Sequence, residues 1–141
     1  MGVYSMDEAV FALPEGSVSD RTVTELRFAG GEGRGLWLTV HRTPLPAGET
    51  LASAVEGNAR EAARSLPGHT ELFRREVEMG GGPAVEIAAE WRGEQGVVYT
   101  RQAHLAHDGV WVVFAGNAPA EARGRCDMLM DRVVATFRPR G

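Results

Sequence analysis

Lysine is absent from this chain, so all fifteen of its basic side chains are arginine. A P-loop phosphate site, which needs its lysine, is therefore excluded. Cysteine is scarce too. Cys126 stands alone, which rules out an internal disulfide and any multi-cysteine zinc site. No long apolar run exists: the longest, residues 110–115, falls far short of the roughly 20 residues that a spanning helix needs. The stretch 1–8 has neither a basic n-region nor an apolar h-region, so no secretory signal is read. Nor does Met1-Gly2 lead to the Ser or Thr that completes a myristoylation signal. These absences set a cytoplasmic location as the expectation, with no membrane insertion. Positive charge is also in deficit, with a formal net charge of -4 and a pI of about 5.6. The arginines are scattered in pairs, so no broad positive field awaits nucleic acid or an anionic membrane.

What is present suits an ordinary globular protein. The 141 residues fit a single domain, expected over 1–141, and 43% hydrophobic residues suffice for a core. Residues 9–13 read as a strand closed by Pro14-Glu-Gly16, and 22–28 alternate as a half-buried strand. A glycine loop at 30–35 leads to a strand over 36–42. Thr50 is placed to cap a helix in which Leu51, Ala54, Val55, Asn58, Ala59, Ala62 and Leu66 recur near helical spacing. Pro67-Gly68 ends it, and Glu56 with Arg60 adds an i,i+4 pair.

Four strands follow: a charged edge strand over 70–77, then 84–91, 97–107 and 110–115, with Asp108-Gly109 as a two-residue hairpin turn. Asn117-Ala-Pro119 is expected to open a closing helix that packs Met130, Val133, Val134 and Phe137 on the sheet. The order β-β-β-α-β-β-β-β-α, joined by hairpins, predicts an α+β fold: a meandering antiparallel sheet of about 6–7 strands with two helices.

The sequence offers no catalytic constellation. Gly30, Gly31, Gly33 and Gly35 do not fit G-x-G-x-x-G, and no helix follows them to hold a phosphate. His104 and His107 are three apart on a strand and point to opposite faces, so no metal site is expected. His41 joins His104 only if their strands are neighbours. Glu86 and Glu90 share a face about 13 Å apart, too far for paired glycosidase carboxylates; a solvated face is expected. Cys126 falls in the last helix as a core or semi-exposed thiol. An enzyme is not expected, and no cofactor.

One segment asks for more than a bland explanation. Val110-Trp-Val-Val-Phe-Ala115 is apolar on both faces, so it needs cover on both sides. Either one helix lies on each face, or one face remains open. In the second arrangement Val85, Ile87, Ala89 and Trp91, with Leu36, Leu38 and Val40, hold the helices. The other face then carries Trp37, Thr39, Val98, Thr100, Gln102, Trp111 and Val113, a mixed set suited to gripping a partner segment.

A resemblance adds to this. Phe11-Ala-Leu-Pro14, Asp20-Arg-Thr-Val23, Leu38-Thr-Val-His-Arg42, Leu45-Pro-x-Gly-Glu49, Val98-Tyr-x-Arg-Gln102 and Phe137-Arg-Pro-Arg140, in order along nearly the whole chain, resemble the DcrB-related proteins. That resemblance implies a PsbP-like α+β fold. The stand-alone members look like the Eag-type chaperones of type VI secretion. They imply a homodimer that shields the N-terminal transmembrane helices of an effector before it is loaded on the secretion spike. The family's groove glutamine matches Gln102; where many relatives carry Gln-x-Gln, this chain has Thr100. The alternative it implies is a DcrB-like ligand- or protein-binding domain with an unrelated partner.

Overall fold

The computed structural model describes the backbone of residues 2–5, 9–13, 17–22, 25–29 and 35–140, with side chains for Leu26 and 35–140. The elements are β1 (Gly2–Ser5), β2 (Ala9–Leu13), β3 (Ser17–Thr22), β4 (Glu25–Ala29) and β5 (Trp37–Pro44). After these come α1 (Leu51–Ser65), β6 (Thr70–Met79), β7 (Gly82–Gly93), β8 (Gly96–His107) and β9 (Val110–Pro119). A 3₁₀ turn (Ala120–Ala122), α2 (Arg123–Thr136) and β10 (Arg138–Pro139) complete the chain. A seven-stranded antiparallel sheet runs in the order β3-β4-β5-β9-β8-β7-β6, and a three-stranded sheet in the order β1-β2-β10. The expected α+β architecture is the observed one.

Local chemistry explains most element boundaries. Thr50 caps α1 through a reciprocal pair of hydrogen bonds with Ser53, at 3.1 and 3.0 Å, which satisfies two otherwise orphan N–H groups. The β8–β9 hairpin turns at Asp108 (φ 50) and Gly109 (φ 75), both left-handed as a type I′ turn requires. Strand β6 is the sheet edge, as its charged sequence suggests. Three strands are not anticipated by the sequence pattern: β1, β3 and the two-residue β10. Ser-Val-Ser-Asp-Arg-Thr of β3 has no apolar alternation, because it too sits at an edge. What reads as one strand over 22–28 is divided between the end of β3 and β4. The turn at 14–16 and the glycine loop at 30–34 lie outside the described residues.

The closing helix begins later than expected. Asn117 and Pro119 are strand residues, held in β9 by pairing with Trp37 and Thr100, and with Val98. Only past the 3₁₀ turn does α2 start. Its buried face, Cys126, Leu129, Met130 and Val133, packs with Phe137 on Leu38, Val40, Ala103, Leu105, Val112 and Phe114. Phe114 and Phe137 meet edge-on with centroids 5.6 Å apart. The approach is close at Gly116, where a Cβ would stand 2.9 Å from the Met130 Cγ.

The expected assignment of faces needs one correction. Val85, Ile87, Ala89 and Trp91 do not share a face with Leu38 and Val40. Antiparallel register pairs Ile87 with Gln102, Gln102 with Ala115 and Ala115 with Thr39, which puts them on the other side of the sheet. One helix covers each side. Helix α2 takes the face of Leu38, Val40 and Phe114; α1 takes the opposite one, over Ile87 and Ala89. Yet α1 reaches only the β7–β8 half, leaving β5 and β9 open beside it.

A second correction concerns Glu86, expected in solvent and found 1% exposed. Its carboxylate accepts from Arg101 at 2.7 Å and from Arg75 at 3.1 Å. Arg101, itself 4% exposed, also reaches Asp131 at 2.7 Å and Asp127 at 3.3 Å on α2. Burial by itself would lower the Arg101 pKa, but hydrogen bonds to Glu86 and Asp131 outweigh it and raise it. The arginine thus fastens α2 to the sheet. Removing one partner of a buried pair costs about 3–5 kcal/mol, whereas an exposed pair contributes about 0–1 kcal/mol. Glu86→Ala is therefore expected to lower the unfolding free energy in urea by about 3 kcal/mol. Glu61→Ala, which breaks only the exposed contact with Arg64, should change it by less than about 0.5 kcal/mol. Equal effects of the two substitutions would refute the role given to the buried cluster.

Candidate functional site

The open half of the α1 face is organised by cross-strand register. Four rows run across β5, β9 and β8: Trp37–Asn117–Thr100, Thr39–Ala115–Gln102, His41–Val113–His104 and Thr43–Trp111–Ala106. Successive rows are about 6.6 Å apart, two residues along a strand. Together with Trp91 of β7 and Asn58 and Leu66 at the α1 side, they enclose a groove of about 540 Å³. Its middle is low, with Thr39, Val113 and Ala115, and tryptophans rise at either end. A cavity of about 40 Å³ lies next to it, between Ala59, Ala62 and Leu66 above and Ile87, Ala89 and Trp91 below.

Of the seven residues singled out from the sequence, six line this groove: Trp37, Thr39, Thr100, Gln102, Trp111 and Val113. Val98 shares the face but lies a row beyond, between Trp91 and Pro119. The groove also holds His41, Thr43, Asn58, Trp91, Ala115 and Asn117, which were not singled out. The period-two continuation of β5 and β9 carries the signal for His41, Thr43 and Ala115, and Trp91 was placed on the other face with the helix-bearing residues of β7. Asn117 was hidden by its assignment to a helix, and Asn58 by its place on α1.

Polar groups on the floor are largely tied to one another. The Trp91 indole donates to Thr100 Oγ1 (3.2 Å), Thr100 donates to Asn117 Oδ1 (2.9 Å), and Asn117 Nδ2 donates to the Ala115 carbonyl (3.0 Å). At the other end Trp111 Nε1 donates to His104 Nδ1 (3.2 Å), and His104 Nε2 lies 2.9 Å from Gln102 Oε1. Asn58 Nδ2 donates to the same Gln102 oxygen at 3.4 Å, joining α1 to the floor. Both chains are uncharged. His104 is fully buried, and its pKa is lowered to about 4, first by burial and then by the Arg74 charge.

Little here favours reaction chemistry. His41 and His104 are not on neighbouring strands; β9 and Val113 separate them. Among the described residues no three His, Cys, Asp or Glu side chains converge as metal ligands. Cys126 is buried under α2, and burial pushes its thiol up to about 12, which removes the thiolate that a nucleophile needs. Among the described residues no helix is long and apolar enough to cross a membrane.

With this geometry in view, similarity to known proteins is informative. The DcrB family profile matches residues 8–136. The chain belongs to the DcrB family. No curated protein matches it closely enough to count as a relative. Among solved structures, the DcrB-family chain is similar to PA94 of Pseudomonas aeruginosa, a protein of unknown function, with a TM-score of 0.74 and 18% identity; the likeness covers 100% of this chain and 98% of that one. It is also similar to cyanobacterial PsbP from Synechocystis, with a TM-score of 0.72, 16% identity and coverage of 99% and 92%. The Saccharomyces cerevisiae Ran-binding protein Mog1p gives 0.64, 13% identity and coverage of 92% and 89%. These likenesses bear out the PsbP-like fold of this DcrB-family protein.

The buried imidazole makes stability depend on pH. The unfolded chain binds a proton at His104 near the ordinary histidine value of about 6.5, while the folded protein resists it down to about 4. The stabilisation is therefore complete above pH about 6.5 and is lost as pH falls through about 4. It amounts to about 3 kcal/mol. Urea unfolding at pH 7.5 and pH 4 should show the native protein losing about 3 kcal/mol more than His104→Gln does. Equal losses in both would mean that His104 is not a buried neutral group.

Proposed function

We propose that this DcrB-family protein is a non-catalytic binding protein whose sheet groove takes an apolar helix from a protein partner. In its specific form, it is a cytoplasmic chaperone of type VI secretion, working as a homodimer. It would bind and shield the N-terminal transmembrane helices of an effector until the effector is loaded on the spike. The observation that carries this reading is the open half of the α1 face. There Trp37, Trp111 and Val113 border a low floor of Thr39 and Ala115, with Gln102 at one side.

The chemistry of the client supports it. A transmembrane helix in water exposes about 20 apolar residues. Covering each 100 Å² of that surface gains about 2.5 kcal/mol. Such helices pack through stripes of small residues and hydroxyls, for which a floor of Thr39, Ala115 and Thr100 is a matching surface. The uncharged hydrogen bonds of the floor also suit an apolar client, since no lone charge must be stripped of water when it docks. Mog1p, of similar fold, is a Ran-binding protein, and that is consistent with a protein as partner.

The test is co-expression with the N-terminal segment of a spike-tip effector encoded beside this gene. The effector should be at least about tenfold more abundant in the soluble fraction when the chaperone is present. Thr39→Arg should abolish that gain, because it fills the low floor with a charge that an apolar helix cannot pair. Gln102→Ala should reduce it. Val113→Asp is a poor probe, since Val113 is only 7% exposed and a buried carboxylate would damage the fold itself. Thermal melting of Thr39→Arg near the native midpoint secures the comparison. An effector equally soluble without its companion, or one rescued equally by Thr39→Arg, rules the groove out as its binding site.

A further inference from the structure

The hydrogen-bond chain at the His104 end of the groove has a direction, and an indole sets it. Trp111 Nε1 carries a hydrogen and can only donate. His104 Nδ1, 3.2 Å away, must therefore be the bare nitrogen. Because His104 is buried and neutral at physiological pH, its one ring hydrogen is then on Nε2. Nε2 lies 2.9 Å from the Gln102 carboxamide, which must present its oxygen there. The Asn58 amide, on α1, donates to the same oxygen at 3.4 Å. Gln102 Oε1 is thus doubly occupied, and its NH2 group has no partner among the described residues.

From this we infer that Trp111 and His104 are positioning residues that lock Gln102 as a hydrogen-bond donor, so that the groove selects a partner presenting an acceptor oxygen at that point. The inference rests on the groove as the binding site and adds the chemistry of what it recognises. The matching feature on a helix is a carbonyl left uncovered beside a small residue, or a hydroxyl. An N–H donor meets no acceptor at Gln102 and is disfavoured. The other buried hydrogen-bonding groups of the floor offer no such discrimination, because Thr100 and Asn117 are satisfied by each other, by Trp91 and by the Ala115 carbonyl.

Two measurements on the full chain test this. Long-range ¹H–¹⁵N spectra of His104 should show the Nε2–H tautomer with Nδ1 bare. The Nδ1–H tautomer would overturn the inference while leaving the groove itself in place. The second measurement is a titration, followed at the Gln102 side-chain amide, with N,N-dimethylacetamide (acceptor only) and with pyrrole (donor only). The native protein should prefer the acceptor by about fivefold, the ratio that one net hydrogen bond supplies. Trp111→Phe, which keeps a ring but removes the anchoring N–H, should bring the preference close to unity. Gln102→Glu, followed instead at the Trp111 indole N–H and with a carboxylate facing His104 Nε2–H, should reverse it. Equal binding of both probes by the native protein sinks the inference alone. If neither probe perturbs any groove resonance, the groove reading falls and the inference with it.

Discussion

From Val110 to Ala115 strand β9 has no polar face, and burying it from both sides is the constraint around which the other elements are arranged. Val112 and Phe114 point one way, Val113 and Ala115 the other, and all four are buried. A central place between β5 and β8 satisfies the backbone; only layers above and below satisfy the side chains. Helix α2 supplies one layer completely. On the other side α1 is displaced toward β7, and the aromatic rims of Trp37 and Trp111 shelter what it leaves. The groove is the part of this second layer that the chain does not fill with itself.

The Arg101 cluster holds that imbalance in place. A guanidinium taken out of water must keep its carboxylates close, and those carboxylates come from both sheet (Glu86) and helix (Asp127, Asp131). Helix α2 therefore has a docking register defined by charge as well as by packing. Among the described residues nothing comparable anchors α1. Its side-chain ties to the sheet, among the same described residues, are the 2.6 Å Glu56–Arg74 pair and the long Asn58–Gln102 bond; below them lie small residues and a small cavity. One face is a closed core and the other is only partly covered.

Much of the fold was legible in the chain itself. Period-two alternation marks β5, β7 and β8, helical spacing after Thr50 marks α1, and Asp108-Gly109 marks the hairpin, because each is a local effect of side-chain geometry. The failures are non-local. Asn117 looks like a helix start until Trp37 and Thr100 pair with it on either side. Glu86 looks solvated until Arg101, from the next strand, and Arg75 enclose it. Six of the seven residues singled out from the sequence line one groove, although the helix-bearing residues were placed on the wrong side. Alternation fixes which residues of one strand share a face, but says nothing about which faces of different strands coincide.

The chain by itself determined the strand-rich α+β class, the two-faced apolar segment and the residue types that border the groove, since these follow from spacing and hydrophobicity along the backbone. Tertiary structure alone decided that α1 covers half a face rather than a whole one. It alone brought Trp111, His104, Gln102 and Asn58, from β9, β8 and α1, into one directed hydrogen-bond chain. Cross-strand register and helix placement are set by the sum of many distant contacts, and no single stretch of sequence contains that sum.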